Sequence, residues 1–475
     1  MIAPARFTRR TDIAVPWQRS SQEVIVSSRS KVLCLLVIAA VSSTSRADRN
    51  ARHDRDHHRS AAAIAARQRY FGAENVDARD GDIRDDRVIF SWLTNASVAV
   101  SVLGHVVLLD TYINRLELPP PPGSSDLRRT PINYQDLVNL QPEAVFLGHG
   151  HGDHADNAAF VAKSLDIPIY ASPETCDVMQ ADVQRLFNDP NTANGGVKII
   201  PDGNPVRCVG VVSRGSVPGA EVVHLDALEP SVCIVAFKHI HSGSVPPDPS
   251  FPAVPVQNIA DPREPDLYPR QTCVTPTSNC QGTGTPVPPV PGQVDLTTSG
   301  FGNLPGSPGG SISLFYQFVV RRGPNFSFVW HNTTGPVQEG VGSDPGLPSP
   351  AVGAHLFSIM EALPRTSIEL GSIVSLGLDT NGVRDPIQYQ QHLRPLIYVP
   401  LHMTDVAVPS SSLEFKKSYL ETLDTAHVAY RPEIRWMVDP NDIARPIAYD
   451  PQDPRWASPG NARRVEQFCS AGGGR

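Results

Sequence analysis

Four side chains able to bind a metal ion fall within six consecutive residues, His149-Gly150-His151-Gly152-Asp153-His154, directly after the apolar run Ala144-Val145-Phe146-Leu147. An extended segment sends alternate side chains to one side, so His149 and His151 can offer their imidazoles to a single ion. Asp153 and His154 stand where the chain turns into a helix expected over 155–165; they point elsewhere and suit a second ion. Imidazole and carboxylate together suit zinc, with Mn2+ or Fe2+ as less exclusive alternatives. A solvated loop has no reason to set a carboxylate among three histidines at this spacing.

The pattern H-x-H-x-D-H resembles the signature of the metallo-β-lactamase superfamily, whose members are mostly binuclear zinc hydrolases. The chain is most similar to the branch that holds ascorbate-phosphate lactonase and the phospholipase D acting on N-acyl-phosphatidylethanolamine. That branch opens with strand, glycine turn, strand and aspartate. The counterparts here are Phe90-Ser91-Trp92-Leu93-Thr94-Asn95-Ala96-Ser97, residues 98–103, Gly104, and Val106-Val107-Leu108-Leu109-Asp110. The resemblance, spanning residues 88–405, implies an α/β fold: a four-layer αββα sandwich interrupted by a Pro/Gly-rich insertion.

The resemblance also implies roles. Asp110 supports the metal loop, the strand ending His239-Ile240-His241 brings a third histidine to the first ion, and Ile397-Tyr398-Val399-Pro400-Leu401-His402 brings the last ligand to the second. His149, His151 and His241 then hold one ion, and Asp153, His154 and His402 the other. His239 competes with His241, since both lie on one side of a regular strand; Ser242-Gly243 marks the strand's end and favours His241. Three histidines leave a position for water, which ionises near pH 7 when bound to zinc.

One position departs from the family pattern. Where relatives carry Gly-Asp-Thr-Gly, with an aspartate bridging two ions, this chain reads His331-Asn332-Thr333-Thr334-Gly335. Counting back from the glycine puts Thr333 in the bridging place; matching the Asn-Thr pair puts Asn332 there. Neither is an anion. At an effective dielectric near 20 and a separation of about 4 Å, one unit charge pair is worth roughly 4 kcal/mol. The expectation is therefore one tightly held zinc and a second that is weak or absent. Asp153 would then be free to orient or deprotonate the attacking water. Asp379, at a strand end, is a less favoured substitute for the missing acid.

The chain has 475 residues, 40% of them hydrophobic and 19% charged, enough to bury a sizeable core. Residues 32–41 form an apolar run after Arg29 and Lys31 and lead to Ser45-Arg46-Ala47, which reads as a signal peptide over 1–47. Such a run is short for a membrane span, so no stable span is expected after cleavage. Residues 1–47 hold seven basic and two acidic side chains, so their removal takes the net charge from −7 to −12. An acidic surface argues against nucleic acid as a partner and against an anionic membrane. Outside the signal stand Cys176, Cys208, Cys233, Cys273, Cys280 and Cys469, a number that permits disulfides in a secreted or periplasmic protein. Cys273–Cys280 is the favoured pair and Cys176–Cys208 a weaker one.

Residues 48–60, with His53, His57 and His58, read as a solvated linker ahead of a short alanine-rich helix over 61–69. A metallo-β-lactamase-like domain is expected over 70–430. From 242 to 311 the composition shifts to Pro, Gly, Ser and Thr, an insertion that is either a lid or a surface loop. Residues 373–378 read as a strand and 351–362 as a helix that makes His355 an ordinary helix residue. A tail from 431 to 475 is expected to wrap the surface. The functional expectation is an exported hydrolase acting on an ester, lactone or phosphodiester in a small-molecule or lipid-like substrate. The alternative is a catalytically weak metal-binding or interaction protein on the same scaffold.

Overall fold

The computed structural model describes residues 59–113, 116–117, 132, 134–188, 200–254, 256, 272–273, 309–341, 349–402, 409–436 and 442–470. The signal expected over 1–47, the histidines of the linker and most of the 242–311 insertion lie outside them. From Arg59 onward the chain forms one compact unit. It opens on helix α1 (Ala61–Phe71), capped by Ser60, whose side chain accepts the amide of Ala63.

Three antiparallel strands follow: β1 (Val88–Thr94), β2 (Ser97–Val102) and β3 (His105–Leu109). Then come α2 (Tyr134–Asn139), β4 (Ala144–Phe146), α3 (Gly152–Ala155), α4 (Ala158–Leu165), β5 (Ile169–Ala171), α5 (Pro173–Asn188) and β6 (Cys208–Gly210). The strands from β3 to β6 run parallel, as helical crossovers require. The helix expected over 155–165 is in fact two, because Asn157 sits in the left-handed region (φ 72°) and breaks the ladder.

The second half of the chain builds β7 (Val222–Leu225), β8 (Val232–Lys238), β9 (Leu314–Val320), β10 (Ser327–His331), α6 (Pro350–Ala362), β11 (Ile368–Ser372), α7 (Leu378–Asn381), α8 (Arg384–Leu393), β12 (Ile397–Leu401), α9 (Pro409–Thr425) and β13 (Glu433–Ile434). The strand expected over 373–378 ends instead at Ser372. β11 is paired only as far as its neighbours β10 and β12 extend, and residues 373–377 leave the sheet as a loop.

The seven-stranded first sheet runs β14-β1-β2-β3-β4-β5-β6, where β14 is Pro446–Tyr449; the second runs β13-β12-β11-β10-β9-β8-β7. The two sheets face each other. Phe90 packs edge-on against Phe328, and Phe146 against Phe318, with centroids 5.0 and 5.2 Å apart. One continuous core holds inward residues of both sheets together with α1, α4 and α5. The outward residues of β8–β10 pack against α6, α8 and the C-terminal helix α10 (Asn461–Cys469), and Tyr398 of β12 and Ile434 of β13 against α9. The result is the four-layer αββα sandwich.

The tail does not merely wrap the surface. β13 pairs with β12, β14 supplies an edge strand beside β1, and Trp456 is buried under Phe326 and Tyr449. Cys233 of β8 is bonded to Cys469 at the end of α10, and Cys176 of α5 to Cys208 of β6. The Cys233–Cys469 pair was not foreseen. The favoured Cys273–Cys280 pair lies outside the described residues, apart from the backbone of Cys273, which pairs with Leu116.

Arg384, fully buried, ion-pairs with Asp248, Glu339 and Asp385. It thereby ties the start of the insertion to α8.

The Cys233–Cys469 bond closes a separation of 236 residues. Cys469→Ala should lower the unfolding free energy by about 2–5 kcal/mol, read from urea denaturation. A reductant should take the wild-type protein toward the same midpoint; a variant with wild-type stability refutes the contribution of the bond.

Candidate metal centre

All the chemistry-bearing side chains emerge at one end of the sandwich, beyond the C-terminal ends of strands that run the same way. β4 leads to His149, β8 to His241, β10 to Asn332, β12 to His402 and β3 to Asp110. Chain ends of this kind leave backbone and side chains unpaired by the sheet and free to form a site.

His149, His151 and His241 bring their ligand atoms within 4.8 Å of one another, and His149 Nε2 lies 3.1 Å from His151 Nδ1. A second group forms beside it. Asp153 Oδ2 is 3.2 Å from His154 Nε2 and 3.4 Å from His402 Nε2, and the two Nε2 atoms are 3.0 Å apart. Thus all six residues singled out as ligands are brought together.

The tautomers are set from behind. His149 Nδ1 donates to Asn332 Oδ1 (2.8 Å), and His241 Nδ1 to the carbonyl of Ser242 (3.0 Å). The Nε2 lone pairs of both rings therefore face the common centre. His154 Nδ1 is held by Asp110 Oδ2 at 2.7 Å. Backing of metal-binding imidazoles by acceptors is the usual arrangement. Nitrogen lone pairs 3.1 Å apart repel unless a proton or a cation lies between them, so the donor set fits a divalent ion.

The electrostatics of the two groups differ. Burial lowers His149 well below the ordinary imidazole range, and brings His151 to about 4 and His241 to about 3, with the neighbouring rings adding to it. Burial also opposes charge on Asp153 and His154, but these two answer each other. His154 and His402 hold the Asp153 carboxyl well below its usual range, while Asp153 and Asp110 lift His154 to about 10. The first group thus offers neutral donors, and the second a field that favours a cation.

Asn332 does not occupy a bridging place. Its Oδ1 accepts from His149 and its Nδ2 donates to Asp110 Oδ2 at 2.7 Å, so both polar atoms serve the back of the site. Thr333 is turned away as well, its Oγ1 accepting the amide of Ser242. The side chain of Asp379 lies outside the described residues. His239 and His241 do not share a side, because β8 ends at Lys238 and strand alternation ends with it. His239 continues the outward face and meets the Tyr389 hydroxyl at 2.9 Å, whereas His241 turns in. His355 is a helix residue whose ring reaches the carbonyl of Gly219.

A third group, His224, Glu229 and Cys233, offers no thiolate, since Cys233 is disulfide-bonded. Asn95 was passed over. It sits in the turn between β1 and β2 and donates to the carbonyl (2.8 Å) and Oδ2 (3.1 Å) of Asp153. In the sequence an asparagine between two strands reads only as a turn residue.

The four-layer αββα sandwich is the architecture that the sequence resemblance implied. No model of a known protein family matches the chain. Over 109 residues, 23% of its length, it is 27% identical to a UPF0173 metal-dependent hydrolase of Pyrobaculum aerophilum, and the match spans 43% of that relative. Among solved structures it is similar to Igni18, a novel metallo hydrolase from the hyperthermophilic archaeon Ignicoccus hospitalis, at 12% identity and a TM-score of 0.39, covering 76% of this chain and 98% of that one. It is also similar to the Rm3 metallo-β-lactamase, at 14% identity and a TM-score of 0.25, covering 74% and 96%. No helix among the described residues is long and apolar enough to cross a membrane.

Asp110 accepts three hydrogen bonds, from Gly148 N, His154 Nδ1 and Asn332 Nδ2. Asp110→Asn should weaken zinc binding about 10–100-fold in chelator competition; an unchanged affinity refutes its supporting role. A second expectation concerns pH. Folded His151 and His241 take up protons far below the 6.5 of a free imidazole, so acid favours the unfolded chain. Their contribution to the stability of metal-free protein should fall as pH drops from 6.5 toward 4. In the His151→Asn/His241→Asn variant the fall in urea midpoint should be smaller; an identical profile refutes it.

Proposed function

We propose that this chain is a metal-dependent hydrolase with His149, His151 and His241 holding one divalent ion and Asp153, His154 and His402 disposed for a second. The observation that carries this reading is the convergence of five imidazoles, three of them (His149, His154 and His241) held by an acceptor behind the ring. The similarity to a metal-dependent hydrolase of Pyrobaculum aerophilum agrees with it. A bound divalent ion polarises water and a carbonyl or phosphoryl oxygen near neutral pH. Zinc suits the donors best, with Mn2+ or Fe2+ as alternatives.

The chain's own groups divide the remaining work. His149 and His154 are buried, whereas His151, Asp153 and His402 are partly exposed, so substrate approaches from their side. Asp153 is the ionised carboxylate on that side. Where the second position is empty, Asp153 is free to orient the attacking water. Neither Asn332 nor Thr333 supplies a bridging anion, so the first ion is held tightly and the second weakly. The bonds attacked are an ester, lactone or phosphodiester in a small-molecule or lipid-like substrate, as in the branch the sequence resembles. Two disulfides suit an exported protein, and the signal peptide expected over 1–47 agrees with that reading.

Metal analysis of the purified protein should find one tightly retained ion per chain; two that survive dialysis against a weak chelator refute the weak second site. Generic lactone, ester and phosphodiester substrates, supplied with zinc or manganese, should be cleaved by the wild-type protein. His151→Ala should lower the rate at least 100-fold. Inertness across all metals and substrates with the first ion bound would instead favour a metal-binding protein on this scaffold.

A further inference from the structure

We infer that Asn95 is a positioning residue that aims the ligands of the second ion, an inference that rests on the reading of the second group as a metal site. Asn95 is fully buried in the turn between β1 and β2 and holds the left-handed conformation (φ 49°), which asparagine tolerates better than most residues. Its side chain and its backbone grip two different ligands. The amide nitrogen donates to both the carbonyl and the Oδ2 of Asp153, at 2.8 and 3.1 Å. Its carbonyl accepts the His402 amide at 3.1 Å and the Trp92 indole N–H at 2.9 Å.

Asp153 Oδ2 is the same oxygen that faces His154 Nε2 and His402 Nε2. The Asn95 N–H therefore fixes the rotation of the carboxylate that any second ion must meet. His402 also needs support, because its backbone is left-handed (φ 66°), an uncommon state for a histidine. Asn95 binds its amide and so fixes the direction in which the imidazole leaves β12.

The amide orientation follows from its neighbours. Both atoms of Asp153 that it meets are oxygens, so nitrogen must face them. The Asn95 Oδ1 is left buried without a hydrogen-bond partner among the described residues. An unpaired buried oxygen is costly, and a turn needing only an αL residue would be served by glycine without it. The amide is thus retained for what its nitrogen holds. Being neutral, it orders a carboxylate without competing with a cation for its charge, as a lysine or arginine there would.

Asn95→Gly keeps the turn conformation and the backbone carbonyl and removes only the amide. Metal-free protein titrated with cobalt(II), with visible absorption reporting coordination, separates the two sites without any substrate. The wild-type protein should bind a first and then a weaker second equivalent. In Asn95→Gly the second dissociation constant should rise about 10–100-fold while the first stays within about threefold. Urea unfolding of the metal-free variant tests the purely structural explanation, in which both constants and the midpoint shift together. That outcome, or an unchanged second constant, overturns the inference, as does a wild-type protein that takes up no second equivalent at millimolar cobalt. Failure to hydrolyse any substrate would leave the binding result intact.

Discussion

The buried carboxylate of Asp110 is the interaction on which the centre depends. It ends β3 in a left-handed turn (φ 52°) and receives the amide of Gly148, the ring of His154 and the side-chain amide of Asn332. Those three partners belong to the metal loop, the short helix after it, and the strand end of the opposite sheet. One oxygen pair thus sets the start of the loop, aims a histidine of the second group and, through Asn332, fixes the tautomer of His149. A carboxylate with no exposure is expensive unless its oxygens are fully bonded, which makes the cluster all-or-none.

Tight packing between the sheets enforces this. A Cβ on Gly148 would lie 2.2 Å from the Asn332 side chain, and one on Gly335 would lie 2.5 Å from the carbonyls of Ile240 and His241. Both glycines are therefore required by proximity rather than by φ. They let β4 and β10 approach closely enough for His149 and Asn332 to meet, and let the chain after Gly335 press on the segment that turns His241 inward. Farther from the site, the Cys233–Cys469 bond and the ion pairs of Arg384 steady β8 and the stretch that follows His241.

Much of this was legible in the sequence because the candidate ligands are few, chemically distinctive and carried on strongly patterned strands. The hexapeptide named its own residues, and the strand-Pro-x-His segment placed His402. What stayed hidden depended on pairings between distant segments. The strands of the tail went unread because β13 and β14 are only two and four residues long and draw their stability from partners far away in sequence. Cys233 and Cys469 carried no spacing signal for the same reason. Asn95 was hidden by ambiguity of type, since a turn asparagine and a ligand-aiming asparagine look alike until Asp153 appears beside it. The separation of His239 from His241 required knowing where β8 stops, and strand ends are poorly marked by pattern alone.

The departure at position 332 gains a physical account from the same geometry. The side chain there must accept from His149 Nδ1 and donate to Asp110 Oδ2, 2.8 and 2.7 Å away respectively. A carboxylate accepts only, so an aspartate in this rotamer would set oxygen against the oxygen of a buried acid. An amide offers one donor and one acceptor at the right separation. Asn332 thus links two anionic or basic partners that could not otherwise share one neighbour. The cost falls on the second group, which gains no negative charge from position 332. The field that draws a cation there comes from Asp153 in front and Asp110 behind His154, and both have to be held in place by neutral amides.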